Sequence, residues 1–223
     1  MISFSGSTIV SSYAENAARM VPGLRDLPKM AGALLAERAP ANAHILVLGA
    51  GGGLELKGLA EMQPSWRFDG VDPSAEMLRL ARTTLGPLAS RACLHEGYID
   101  MAPMGPFDGA TCLLTLHFLP RAERLETLKQ MQARLKVGAP LVVVHHSLPD
   151  EGPDQDKWLQ RNVAFAVASG MPSAQAENIL ALKGRLPVLS PEQDVDLLNE
   201  AGFTHIELFY CAFTFKGWVA RRP

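Results

Sequence analysis

Cysteine is scarce in this chain: Cys93, Cys112 and Cys211 stand far apart, with no CxxC pair and no histidine at metal-ligand spacing beside them. That excludes a disulfide framework and a structural metal site, and the three read as small buried hydrophobes. Charge of one sign is lacking too. Lys and Arg number 21 against 23 Asp and Glu, and the formal net charge of -2 is too small to gather phosphate backbones or anionic lipid. Nucleic acid is therefore not expected as a partner. Long apolar runs are absent, since ILVLGA and LVVV fall far below the roughly 18 residues of a membrane span. The first residues, MISFSGSTIVSSYAENAARM, lack a basic start and a continuous apolar core, so no secretory signal is expected. A cytoplasmic protein with no membrane partner is the expectation.

With 223 residues, 48% hydrophobic and 20% charged, the chain can bury one substantial core, and a single domain over residues 1–223 is expected. Short apolar runs alternate with helix-like segments, the pattern of a mostly parallel sheet covered on both faces. The strands are read as Ile45 to Leu48, Arg67 to Val71, Ala92 to Glu96, Gly109 to Leu114, Pro140 to His145, Thr204 to Tyr210 and Phe213 to Ala220. Only Cys211 and Ala212 separate the last two, too few for a helical crossover, so these pair antiparallel. Periodic apolar positions predict helices over Ala75 to Thr84, Arg121 to Leu135 and Pro191 to Ala201. Ser190, Pro191, Gln193 and Gly202 supply a capping box, a first-turn proline and a left-handed stop for the last of these. The expected fold is α/β: a Rossmann-like, doubly wound sheet of seven strands, mostly parallel with an antiparallel C-terminal strand, and with helices on both faces.

Two segments fall outside that alternation. Helices near Ser11 to Met20 and Leu24 to Ala39 precede the first strand, and a helical cover of about residues 1–40 over the sheet's top edge is expected. Residues 149–187 form a crossover of about 39 residues where roughly a dozen would suffice. This insertion carries Trp158, Arg161, Asn162, Phe165 and Met171, a mixture suited to a substrate lid or to a dimer contact.

The strongest local signal is ILVLGAGGGLEL, a buried strand running into Gly49, Ala50, Gly51 and Gly53 and then a helix. Glycines there permit a tight turn and let backbone amides approach a ligand. Leu54 stands where the dinucleotide fingerprint would place its last glycine, which argues against NAD or FAD. Asp72, roughly 20 residues beyond the loop at the end of the second strand, is placed to accept ribose hydroxyls, and a helix-capping role is its plainer reading. Pro73 and Met77 follow it, Met77 near a base face or simply in the core. The third strand ends in Gly97, Tyr98 and Ile99, which are placed to enclose a base, and the fourth brings Leu114 to Phe118 to the same carboxyl edge. In open parallel sheets ligands bind at that edge.

VLGAGGG, GVDPSAEML, LHEGYI, FDGATCLLTLHFLP and the closing AGF with two strands together resemble the class I S-adenosylmethionine (SAM)-dependent methyltransferases, from about Ile45 to the C-terminus. The resemblance implies SAM as cofactor, S-adenosylhomocysteine as product, the loop beneath the methionine part, Asp72 at the ribose and the third-strand turn at adenine. Many members carry an acid two residues before the first glycine, where this chain has Val47. Glu55 is the alternative carboxylate, or simply a charge on the helix macrodipole. A further resemblance, through MVPGLRDLPKMAGALLAER, TLHFLP and AGFTHIELFYCAFTFKGWVA, is to the carboxy-SAM synthases of tRNA wobble-uridine modification. Those are homodimers that convert SAM and prephenate into a carboxylated cofactor. The segment Asn178 to Ser190 matches them poorly, so methyl transfer to a small-molecule acceptor is the leading expectation. Cofactor modification and a non-catalytic SAM-binding module are the alternatives.

Methyl transfer from a sulfonium asks mainly for in-line positioning, and a base matters only if the acceptor must lose a proton. His117 is the first candidate, with His145 or His146 next, each weighed against a packing role. Tyr13 on the N-terminal cover, and Arg161 and Trp158 on the insertion, are the candidates to complete an acceptor pocket.

Overall fold

A computed structural model describes residues 15–149, 152–182 and 184–223. Seven strands form one sheet: β1 His44–Leu48, β2 Arg67–Asp72, β3 Ala92–Glu96, β4 Gly109–Leu113, β5 Pro140–His146, β6 Thr204–Ala212 and β7 Phe215–Arg221. Their order is β3-β2-β1-β4-β5-β7-β6. The strands β1 to β5 pair in parallel, β7 runs antiparallel to β5, and β6 runs antiparallel to β7. The strand order reverses between β1 and β4, which opens a crevice at their carboxyl ends.

Helices α1 Leu27–Ala36, α2 Leu54–Met62 and α3 Ala75–Leu85 cover one face. On the other lie α4 Arg121–Arg134 and α7 Pro191–Glu200, with Leu128, Met131, Leu197 and Leu198 buried against Leu46, Cys112, Leu141 and Val143. The α7 helix carries its full capping box: Ser190 Oγ accepts the Gln193 N–H, and Gln193 Oε1 accepts the Ser190 N–H. Gly202 follows with φ of 88°. Between β5 and α7 the chain forms α5 Pro153–Ala168, α6 Ser173–Ala176 and a 3-10 turn Glu177–Leu182, closed on a small core of Leu159, Ala166, Met171, Ala176 and Ile179.

Two expectations are corrected. The second N-terminal helix does not lie over the sheet edge. Leu27, Ala31 and Leu35 of α1 are buried on the sheet face with Ile45 and Val142, while Asn16, Ala17, Met20 and Val21 ahead of it line a cavity with Leu114. The hairpin turn falls at Phe213 and Thr214 instead of Cys211 and Ala212. The β6 strand carries register shifts between Thr204 and Glu207 and between Leu208 and Tyr210, and such bulges consume extra residues before the turn.

Candidate active site

Strand β1 delivers the glycine loop to the carboxyl edge of the sheet. Gly49, Gly51 and Gly53 take φ of 79, 48 and 82°, the left-handed region that other residues enter at cost. The Gly49 and Ala50 N–H groups donate to the Val71 carbonyl at 2.9 and 3.0 Å, which ties the loop to β2. A Cβ on Gly49 would stand 1.9 Å from Thr115 Oγ1, so glycine alone lets the exit of β4 lie against the loop. Met77 is buried beneath, its Cε 3.5 Å from where a Cβ on Gly51 would be, and so acts as packing under the loop.

Asp72 is half-buried at the end of β2. Its Oδ2 accepts the Gly51 N–H at 2.9 Å and its Oδ1 accepts the Ser74 N–H at 2.9 Å. Each oxygen keeps a further lone pair for a ligand hydroxyl. Burial raises its pKa, and the bonds from Ser74 and Gly51 oppose that. Ser74, not Asp72, caps α3 by accepting the Met77 N–H at 3.3 Å, while Pro73 is exposed between them. The third-strand turn abuts this corner, because the Gly97 N–H donates to the Asp72 carbonyl at 3.0 Å. Tyr98 is 45% exposed there and Ile99 is buried behind it. The loop, Asp72 and the turn thus assemble as the sequence predicts.

Beside the loop lies a cavity of about 330 Å³, lined by Leu114, His117, Phe118, His146 and Phe215, by Asn16, Ala17, Met20 and Val21 of the N-terminal cover, and by Met171, Gln175, Asn178, Ile179, Leu182 and Leu186 of the insertion. Leu114 holds a left-handed φ of 58° where the chain leaves β4. No Lys, Arg, Asp or Glu is among these residues. Burial drives the pKa of His117 well below the ordinary value, helped by nearby His146, His145 and Arg124, and takes His146 to about 3. Both imidazoles are therefore neutral near pH 7. His117 Nδ1 accepts the His146 backbone N–H at 3.4 Å, which assigns its proton to Nε2 and makes it a donor. His146 Nδ1 lies 3.0 Å from Thr214 Oγ1, and placing its proton in that contact leaves Nε2 as an acceptor.

Other expected residues stand elsewhere. His145 is buried on the opposite face, its ring 5.4 Å from that of Trp218 and its Nε2 3.1 Å from Asp194 Oδ1. Asp194 Oδ1 also accepts from Arg124 Nη1 at 2.8 Å, and Arg124 Nη2 donates to the Pro187 carbonyl. Burial pushes the Asp194 pKa up, but His145 and Arg124 bring it below the ordinary value; on Arg124 burial prevails and lowers the pKa. The two directions disagree about which partner gains. The pair stays charged, because a guanidinium does not give up its proton in proteins. Arg161 is exposed with its Cζ 4.5 Å from the Trp158 ring centroid, and neither residue lines the cavity. Tyr13 lies outside the described residues. Of the insertion residues that do reach the cavity, Met171 is among those the sequence singles out, while Gln175, Asn178, Ile179, Leu182 and Leu186 gave no sequence signal.

Residues 46–141 match the methyltransferase domain family. Over 219 residues, 95% of this chain and 80% of the relative, the sequence is 29% identical to a carboxy-S-adenosyl-L-methionine synthase of Chromohalobacter salexigens. Among solved structures, a candidate O-methyltransferase of Nostoc punctiforme superposes with a TM-score of 0.68 at 19% identity, over 96% of this chain and 60% of that one. Human N-acetylserotonin methyltransferase, in complex with SAM, gives 0.60 at 17% identity, over 97% and 59%. The chain spans about 60% of the first of these structures, and both likenesses are of fold. Strand order, glycine loop and Asp72 lie where those matches fall: residues 46–141 are similar to a methyltransferase domain, the fold is that of the two solved structures, and the sequence is similar over 95% of the chain to a carboxy-SAM synthase.

Proposed function

We propose that the protein transfers a methyl group from SAM to a small, mainly apolar and uncharged acceptor. The observation that carries this reading is the cavity at Leu114, His117 and His146, roofed by the insertion and lined, among the described residues, by no side chain charged at neutral pH. The fit to the cofactor rests on Asp72, whose oxygens each keep a lone pair for a ribose hydroxyl, and on a loop that glycine keeps open. SAM, when bound, supplies a methyl group on a positively charged sulfur that departs as a neutral thioether. The protein's part is to orient the acceptor, exclude water and, where the acceptor carries a hydroxyl, receive its proton. His146 Nε2 is the acceptor for that proton and His117 the donor that orients it, which moves the basic role one strand away from His117.

Similarity over 95% of the chain to a carboxy-SAM synthase favours a second reading, modification of the cofactor itself. The described residues that line the cavity include no Lys or Arg, which argues against it, since a carboxylated product adds an anion that buried surroundings must neutralise. Incubation with SAM and a panel of neutral phenols, alcohols and carboxylic acids, followed by mass spectrometry, tests both. S-adenosylhomocysteine with a methylated neutral acceptor supports methyl transfer, and a carboxylated cofactor overturns it. In the same assay Asp72→Ala weakens S-adenosylhomocysteine binding by about 1.5 to 3 kcal/mol, as loss of a charge-assisted hydrogen bond predicts.

A further inference from the structure

Glu55, in the first turn of α2 directly after the glycine loop, is a half-buried residue, and one of its carboxyl oxygens is held away from solvent without being satisfied. Its Oε1 has no hydrogen-bond partner among the described residues. The Thr111 hydroxyl lies close enough to soften the effect of burial, yet Thr111 Oγ1 is itself without a hydrogen-bond partner, so no well-formed bond joins them. Thr111 belongs to β4 and pairs in register with Val47 of β1. The carboxyl group therefore sits where β1, β4 and the loop meet, the corner from which Gly49 and Leu114 lead into the crevice. An unpaired buried acid costs several kcal/mol if ionised, so it stays protonated until a cation arrives. The neighbouring groups do not supply that cation. Val47 is apolar, Cys112 is a thiol that burial holds protonated, and Asp72 is bonded to Gly51 and Ser74.

We infer that Glu55 is the seat of the cofactor's α-ammonium group, so that binding converts a neutral buried acid into one half of an ion pair and expels its proton. The inference rests on the SAM reading and assigns a residue within it. Burial lifts the Glu55 pKa to about 8, so near pH 7 the ligand-free protein holds that proton. Binding of an aminoacyl-bearing ligand is then linked to proton release, whereas a ligand lacking the amino acid part is not.

Calorimetry with S-adenosylhomocysteine and 5′-methylthioadenosine, in two buffers of different ionisation enthalpy near pH 7, separates the possibilities. In the wild type S-adenosylhomocysteine binding releases about one proton and 5′-methylthioadenosine binding none. Glu55→Gln, which keeps shape and hydrogen-bonding capacity, weakens S-adenosylhomocysteine about tenfold or more and leaves 5′-methylthioadenosine within about twofold. Its thermal melt reports whether the fold is kept. If Glu55→Gln binds S-adenosylhomocysteine as the wild type does, or no proton is released, the inference fails while the cofactor reading stands. If neither compound binds the wild type, both fall.

Discussion

His145 and His146 are neighbours in β5, yet alternation along the strand sends the first toward Trp218 and Asp194 and the second toward Phe215, with ring centroids 3.9 Å apart, at the cavity. Substitution should separate them. With an acceptor hydroxyl as substrate, His146→Gln lowers kcat by about a hundredfold or more with KM little changed, the signature of a lost proton acceptor. His117→Gln, which keeps a donor, acts mainly on KM. His145→Gln leaves the rate alone and appears as a lower urea midpoint. Steady-state kinetics on the three variants checks the assignment, and an unaffected kcat in His146→Gln removes the basic role. The sequence named all three histidines but could not rank them. The run LVVVHH shows no alternation, because β5 is buried on both faces. Asp72 and the loop glycines were legible because backbone geometry fixes their residue types. Trp158 and Arg161 stand off the cavity because the helix turns them toward each other, which their pocket-like chemistry does not reveal.

At the scale of elements, strand positions followed from short apolar runs, and β3 begins and ends where the sequence places it. The hairpin shifted because bulges leave no compositional mark. The insertion's place in the chain was expected, but which side faces inward depends on its own small core, which local pattern does not reveal. That core makes the insertion a closed excursion. Ser147 and Leu189 form a parallel bridge at its two ends, and the Leu148 N–H donates to the Leu189 carbonyl at 3.1 Å. A short linker joining those ends should preserve the sheet and the cofactor crevice while unroofing the cavity. S-adenosylhomocysteine affinity is expected to stay within about tenfold, roughly 1.4 kcal/mol, and acceptor turnover to vanish. Arg124 Nη2 donates to the Pro187 carbonyl, so the linker should leave Pro187 in place. Sedimentation tests whether the insertion is instead a dimer contact: dissociation with turnover retained overturns the lid.

Across the whole molecule the site groups leave a signature in the pH dependence of stability. His117 and His146 are neutral when folded, with pKa values below their ordinary 6.5, that of His146 at about 3. Between those limits the unfolded chain binds protons that the native state refuses, so stability rises with pH, by up to about 1.4 kcal/mol per pH unit for each histidine. Glu55 works the other way. Its folded pKa of about 8 lies above the ordinary 4.5, so between these values the native state holds the extra proton and stability falls as pH rises. From 4.5 to 6.5 the rising contributions of the two histidines oppose the falling one of Glu55, and stability is expected to rise with pH there. Urea unfolding of the ligand-free protein at stepped pH measures that slope. Replacing both His117 and His146 by Gln should turn it negative, since Glu55 is then unopposed, and Glu55→Gln should steepen it. Saturating S-adenosylhomocysteine ionises Glu55 in the native state, so the ligand-bound protein should show the same steepening without any mutation, and a slope that ligand leaves unchanged would detach Glu55 from the cofactor.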